Sequence, residues 1–253
     1  MKPLDNKVAV ITGGAGSIGK ITAQLFLEAG AKVVLVDLKA DDLKDVIEEL
    51  NSINVKYVEA DVSKSEDVQR YVNDIVKAFG KIDIFFNNAG IEGVVKPLVD
   101  YPEDMFDKVL AVNVKGSWLG NKYVIPQMND GGSIIMSSSV AGLNGSANVS
   151  AYITSKHAVV GIMRATAVEV APRKIRVNTI HPSPVDNRMM RSLEEGFSSG
   201  HAADVKKNLE ATIPLGRYAT PLEIAKLVLF LASDNSQFIT GTTQVIDGGL
   251  GVQ

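Results

Sequence analysis

The sequence predicts an α/β fold: a doubly wound parallel β-sheet of about seven strands, with helices on both faces, in a single domain. Three observations carry this expectation. Short apolar runs alternate along the chain with amphipathic stretches, the order that parallel βαβ units produce. The runs are mostly continuous rather than alternating in polarity, as strands covered on both faces should be. A chain of 253 residues can bury one substantial core, and no linker, repeat or low-complexity tract divides it.

In order, the strand candidates are "KVAVIT" (7–12), "KVVLVD" (32–37), "VKYVEA" (55–60) and "IDIFFN" (82–87) in the first half. "GSIIMS" (132–137), "IRVNTI" (175–180) and "TTQVID" (242–247) complete the set. All are rich in the β-branched and apolar residues that suit a pleated surface. The helices between them are punctuated. One begins near Ile18 and ends before Gly30. In 65–79, Val68, Val72, Ile75, Val76 and Phe79 follow helical spacing, and Gly80 stops the run. Thr220 and Glu223 form a capping box with Pro221 at the first helical position.

Composition excludes several functions. A net charge of −3 lacks the basic footprint of a nucleic-acid binder. The absence of cysteine excludes disulfides, thiolate chemistry and zinc–sulfur sites, and no metal site is expected. The chain enters a strand within seven residues of its start, which leaves no room for a signal peptide. No apolar run reaches the roughly 18 residues of a membrane helix. The expectation is a soluble, cytoplasmic protein with neither nucleic-acid nor membrane partners.

"VITGGAGSIGK" places a glycine-rich loop between a strand and a helix. Such a loop permits a tight turn and close backbone approach by a pyrophosphate, which the helix N-terminus attracts. Two registers fit. Gly14, Gly16 and Gly19 satisfy G-x-G-x-x-G, while Gly13 and Gly19 satisfy Thr-Gly-x-x-x-Gly-x-Gly with Ser17 in place of its middle glycine. Ser17 offers a phosphate a hydroxyl and a backbone N–H. Asp37 ends the second strand 18 residues after Gly19, near the spacing of the acid that accepts the ribose hydroxyls of a Rossmann-type dinucleotide site. A carboxylate there repels a 2′-phosphate, so NAD is expected over NADP. Lys39 is the one nearby cation that opposes this.

In "YITSK", Tyr152 and Lys156 lie four apart on one helix face. A free phenol, with a pKa of roughly 10, is a poor acid or base at neutral pH. A neighbouring ammonium favours the phenolate and lowers that value. The alternative for such a pair is a half-exposed contact with a solvated amine.

Thr12–Gly13 with Gly19, "NNAG" at 87–90, Asn113, "SSS" at 137–139, "YITSK", "HPSPVDNRM" and the closing "ITGTTQVIDGG" occur in an order and spacing that resembles the single-domain short-chain dehydrogenase/reductase family. The likeness covers almost the whole chain. It implies that Tyr152 is the general acid in ketone reduction and the base in alcohol oxidation. Lys156 would lower the Tyr152 pKa and hold the nicotinamide ribose, and Ser139 would hydrogen-bond the substrate oxygen. Asn113 would position a water that relays protons from Lys156. Gly13, Ser17, Ile18 and Gly19 would cradle the pyrophosphate. Asp61 and Val62 match the adenine contacts, and Asn88, Ala89 and Gly90 flank the cofactor. Pro182, Val185 and Asn187 would border the nicotinamide.

Two departures from the family pattern stand here. Ser183 follows Pro182 where glycine is usual, and Asn187 occupies the place of a threonine that bonds the nicotinamide amide. Asn carries both a donor and an acceptor and can still serve. Ser137 and Ser138 suit capping or turn duties. An interior Asn such as Asn113 commonly satisfies buried backbone groups. His157 and His181 have no acidic partner at a suggestive spacing and read as structural.

The stretch at about 186–212 is expected to be a substrate lid. It mixes Met189, Met190, Leu193 and Phe197 with Arg188, Arg191, Glu194 and Glu195. With Ile91 and Leu143 as further wall, an apolar, adaptable pocket is expected, although an amphipathic helix covering a core has the same pattern. The expected activity is NAD(H)-dependent interconversion of a secondary alcohol and its ketone. The alternatives are a 3-oxoacyl-[acyl-carrier-protein] reductase-like enzyme or a non-catalytic dinucleotide sensor. The resemblance also implies a homotetramer.

Overall fold

The computed structural model describes residues 2–252, so the two end residues of the expected 1–253 domain lie outside it. Seven strands form one parallel sheet: β1 (Val8–Thr12), β2 (Lys32–Asp37), β3 (Val55–Glu59), β4 (Ile82–Asn87), β5 (Met128–Ser137), β6 (Arg176–Pro182) and β7 (Thr243–Ile246). Their spatial order is β3-β2-β1-β4-β5-β6-β7. The order reverses direction between β1 and β4, and the crevice beyond the strand ends at such a point is where open α/β sheets bind ligands.

Residue parity explains why the strands read as unbroken apolar runs. Val10, Val34, Phe85, Ile134 and Val177 face one core. There they meet α3 (Ser65–Phe79), α5 (Ser117–Val124) and α6 (Ser150–Val170). Their neighbours Ile11, Leu35, Phe86 and Ile135 face the other core. It is closed by α1 (Ser17–Glu28), α2 (Ala40–Leu50) and α9 (Pro221–Ala232). Most of these side chains are fully buried.

The predicted punctuation is present. Gly80 caps α3 with φ of 83°, and both bonds of the Thr220–Glu223 capping box form at α9. Several strand ends shift by one or two residues, and the largest difference is at β5, which starts at Met128 rather than Gly132. The residues between look like a turn, yet Asn129 donates to Asp83 (3.0 Å) and Arg173 pairs with Asp130 (2.8 Å). Those partners hold the polar segment against the sheet, with a register shift between Ile82 and Ile84.

Between β4 and β5, α4 (Glu103–Leu110) continues into α5 through a π-helical turn, Ala111–Gly116. The 186–212 stretch is helical in two pieces, α7 (Arg188–Phe197) and α8 (Ala202–Thr212).

Candidate active site

The glycine loop leaves β1 at the switch point. Gly13 has φ of 66°, a left-handed conformation that glycine adopts without steric cost. A Cβ at Gly13 would press on the Asn88 amide, one at Gly14 on Leu35, and one at Gly19 would collide with the Gly13 carbonyl. The loop is therefore a bare backbone cradle leading into α1, whose first turn has no side-chain cap and no acidic residue. An uncapped helix start beside exposed backbone fits a pyrophosphate. Ser17 and Ile18 open that helix, half-buried.

Asp37 ends β2 against this loop. Its carboxylate accepts N–H bonds from Ala15 (3.0 Å) and Leu38 (2.7 Å). One bond to each oxygen leaves further lone pairs for hydroxyl donors. Asp61 is more occupied: Ser63 donates its N–H (3.0 Å) and hydroxyl (2.7 Å) to one carboxylate oxygen. Val62 beside it packs on Gly116 in the π-helical turn.

Asn88 and Ala89 are tied to the glycine loop through Thr12, a residue quoted above only as part of a motif. Its hydroxyl accepts both their N–H groups, at 2.9 and 3.1 Å. The Asn88 amide in turn donates to the Thr12 carbonyl (3.1 Å) and accepts from the Ser137 hydroxyl (2.8 Å). Strand ends β1, β4 and β5 are thus stitched together, which fits Ser137 to the structural duty expected of it. Ser138 also bonds structurally, to the Lys156 carbonyl (3.0 Å).

Lys156 is buried, and its ammonium donates to the Ser137 carbonyl at 2.9 Å. Any side chain at Gly90 would press on this ammonium and on Asn113. Burial pulls the Lys156 pKa down to about 8. The ammonium lies 5.4 Å from the centre of the Tyr152 ring. Here the structure departs from the expectation of a lowered phenol pKa. Burial pushes Tyr152 up to about 12, the nearby Ser139 hydroxyl opposes this, and the Glu92 carboxylate adds to it. The charge of Lys156 is directed at a backbone carbonyl, so desolvation dominates at the phenol.

Asn113 sits in the π-helical turn, a feature common at functional sites. Its side chain is hydrogen-bonded to backbone and to a neighbouring hydroxyl. It accepts from Ile91 N–H (2.8 Å) and donates to the Ile91 carbonyl (2.9 Å) and Ser155 (3.0 Å). What is left for a water is a second lone pair on Oδ1 and the backbone carbonyl, which already accepts from Ser117 (2.7 Å).

Ser139 lies just past the end of β5. Its hydroxyl accepts from Ala141 N–H (3.2 Å) and makes a long 3.4 Å bond to the Pro182 carbonyl. Val185 forms a bridge to Ala219, but the bonds run through Pro184 and Asp186, so the bridge does not use Val185's own amide. Asn187 caps α7, its carbonyl oxygen accepting from Met190 N–H at 3.0 Å. That use of the oxygen was not evident from the sequence, and it leaves the amide nitrogen as the outward donor. His157 meets the Ile153 carbonyl (3.0 Å) from the surface.

Among possible lid contacts, Gly196 of α7 lies directly on Val95. Met189, Met190 and Leu193 are half-buried, whereas Leu143 and Phe197 are exposed. Arg191 is committed to Asp186 (3.0 Å) and Glu194 (3.1 Å).

The chain is similar to known proteins over nearly its whole length. A family model described as "Enoyl-(Acyl carrier protein) reductase" matches residues 13–251. An NAD-dependent glycerol dehydrogenase of Listeria innocua is 38% identical, covering 97% of this chain and 94% of that protein. The crystal structure of a levodione reductase superposes with a TM-score of 0.95 at 35% identity, covering 98% of this chain and 99% of that one. An NAD+-bound xylitol dehydrogenase gives 0.93 at 34% identity, covering 98% and 100%.

Proposed function

The chain belongs to the short-chain dehydrogenase/reductase family and is an oxidoreductase; from that premise we propose that it interconverts a secondary alcohol and its ketone with NAD(H). The observation that carries the proposal is the meeting of Ser139, Tyr152 and Lys156 at the same end of the parallel sheet as the glycine cradle and Asp37. NAD(H), when bound, supplies or accepts the hydride. Gly13, Ser17, Ile18 and Gly19 hold its pyrophosphate, Asp37 its adenine ribose, and Asp61 and Val62 its adenine. Asn88, Ala89, Gly90, Pro182, Val185 and Asn187 line the remainder.

The chain's own residues then have the following tasks. Ser139 donates a hydrogen bond to the substrate oxygen, releasing its long contact to Pro182. Tyr152 gives the proton that a developing alkoxide requires. A phenol raised to about 12 is held protonated, which suits the reductive direction. In oxidation the phenolate depends on the Lys156 ammonium, which remains mostly charged at neutral pH with a pKa of about 8. Asn113 clamps Ile91 and offers a water its backbone carbonyl. The residues at 186–212 form the lid, and the half-buried methionines favour an apolar substrate. A carrier-bound substrate is the weaker reading, because the lid cations Arg191 and Lys206 are already paired with Asp186.

The assembly proposed is a homotetramer in the cytoplasm. Leu110, Ala111, Val114, Trp118 and Ile162 line a shallow apolar face on α4–α6, and Trp118 is 49% exposed there. Among the described residues no helix is long and apolar enough to cross a membrane. Light scattering tests the subunit number.

Tyr152→Phe tests the chemistry. Turnover should fall by at least about a hundredfold, the usual contribution of a general acid, while NADH binding by fluorescence titration survives. Near-normal turnover would remove Tyr152 from the mechanism.

A further inference from the structure

His181 is fully buried on β6, two residues from Thr179 on the same strand face. Its Nδ1 lies 2.7 Å from the Ser139 carbonyl oxygen and its Nε2 lies 2.8 Å from the Thr179 hydroxyl. A carbonyl only accepts, so Nδ1 carries the proton and Nε2 accepts from Thr179. Both ring nitrogens are engaged and, among the described residues, no carboxylate bonds the ring, so direct proton transfer to substrate is not its task.

What the ring holds is the end of β5. The ladder between β5 and β6 ends with Ser138 N–H donating to Ile180 (3.0 Å), one residue short of Ser139. Beyond it, the Ser139 carbonyl accepts from Gly142 N–H (2.8 Å) within its own turn. His181 supplies the second donor, and it is the one anchored in the sheet. The next residue on β6, Pro182, receives the Ser139 hydroxyl. Two consecutive residues of β6 therefore hold the carbonyl and the hydroxyl of Ser139.

We propose that His181 is a positioning residue: through its Nδ1–H bond it fixes the Ser139 peptide and so aims the hydroxyl that meets the substrate oxygen. This rests on the role of Ser139 proposed above. The physical requirement is that a reacting group misplaced by about 1 Å costs on the order of a hundredfold in rate, and Ser139 has left the sheet ladder that would otherwise hold it.

Two amide variants separate the two ring contacts. In His181→Asn the amide nitrogen stands at the bond distance of Nδ1 and keeps the donor to Ser139. In His181→Gln it stands at that of Nε2, facing Thr179. Each variant loses one buried hydrogen bond, so a purely structural histidine would give similar losses of stability and of activity per folded molecule. With positioning, His181→Gln should lose at least about tenfold in kcat/KM for ketone, with NADH affinity unchanged, while His181→Asn stays within about threefold. Equal kinetics for the two variants would overturn the proposal.

Ser139→Ala is the control for the underlying reading. If it keeps full activity, the Ser139 role itself fails, and that is distinguishable from equal Asn and Gln variants in an enzyme that needs Ser139. Nitrogen NMR of the unaltered protein decides the matter if neither histidine variant folds. With only 3 histidines in the chain, the His181 signals can be identified. An Nδ1–H tautomer at neutral pH supports the proposal, and an Nε2–H tautomer overturns it.

Discussion

Asp37 offers the most quantitative test of the dinucleotide site. Its carboxylate already holds the glycine loop through Ala15 N–H (3.0 Å) and its own turn through Leu38 N–H (2.7 Å). The remaining lone pairs are the ones a ribose would use. Hydrogen bonds to a charged acceptor are worth about 1.5–3 kcal/mol, and the low end applies because Asp37 is half-exposed. Losing one such bond costs about 1.5 kcal/mol, or about tenfold in favour of NAD, and charge repulsion raises that toward about a hundredfold. In NADP a 2′-phosphate takes the place of one donor, and attraction becomes repulsion. Lys39 stands at the start of α2, but a flexible amine makes a weaker phosphate clamp than a planar guanidinium. Replacing Asp37→Ser with Leu38→Arg should therefore narrow or reverse the preference. The structure adds a second expectation: Asp37→Ala alone weakens both cofactors, because Ala15 N–H loses its acceptor. The assay is the ratio of kcat/KM for NADH and NADPH in the wild type and both variants. A wild type that uses both equally, or a double variant with an unmoved ratio, would refute the assignment.

Three further predictions follow from the site. In the ligand-free enzyme, burial depresses the Lys156 pKa to about 8, so the unfolded chain binds more protons between that value and about 10.4, where a free lysine titrates. The burial penalty is then full below about 8 and fades as pH rises. Lys156→Met should consequently lose turnover yet gain stability relative to the wild type at pH 7, by at most about 3 kcal/mol less the lost bond to Ser137. Denaturant unfolding at neutral and alkaline pH should show that gain shrinking with pH, and a constant or growing gain contradicts it. Gly19→Ala drives a methyl into the Gly13 carbonyl and should cost about 1–3 kcal/mol together with NADH affinity; unchanged cofactor binding would remove the cradle. Bulky uncharged ketones should outperform short carboxylated ones, because the proposed lid and wall offer the half-buried Ile91, Met189 and Met190 and the Glu92 carboxylate acts on Tyr152. A kinetic preference for anions would instead implicate Arg188, since Arg191 is already paired twice.

Much of the fold was legible because each signal is local. Continuous apolar strands, glycine stops and the Thr220–Glu223 box depend on near neighbours, and all formed as read. The start of β5 was not legible, because residues 129–131 have turn chemistry and are held against the sheet by Asp83 and Arg173 from elsewhere in the chain. Asn187 is another case. Its place in the motif suggested a nicotinamide contact, but only the backbone path shows its carbonyl oxygen spent on capping α7.

The sequence by itself determined the parallel α/β class, the glycine loop with its acid at the end of β2, and the helical pairing of Tyr152 with Lys156. Those are matters of period, spacing and residue type, which a chain carries whatever its surroundings. Tertiary structure alone decided how the groups are charged and aimed. The phenol pKa rises rather than falls because burial outweighs an ammonium turned toward Ser137. Asn113 spends its side chain on Ile91, and a histidine remote in sequence grips Ser139. Desolvation and hydrogen-bond direction depend on which distant segments close over a group, and no local pattern encodes that.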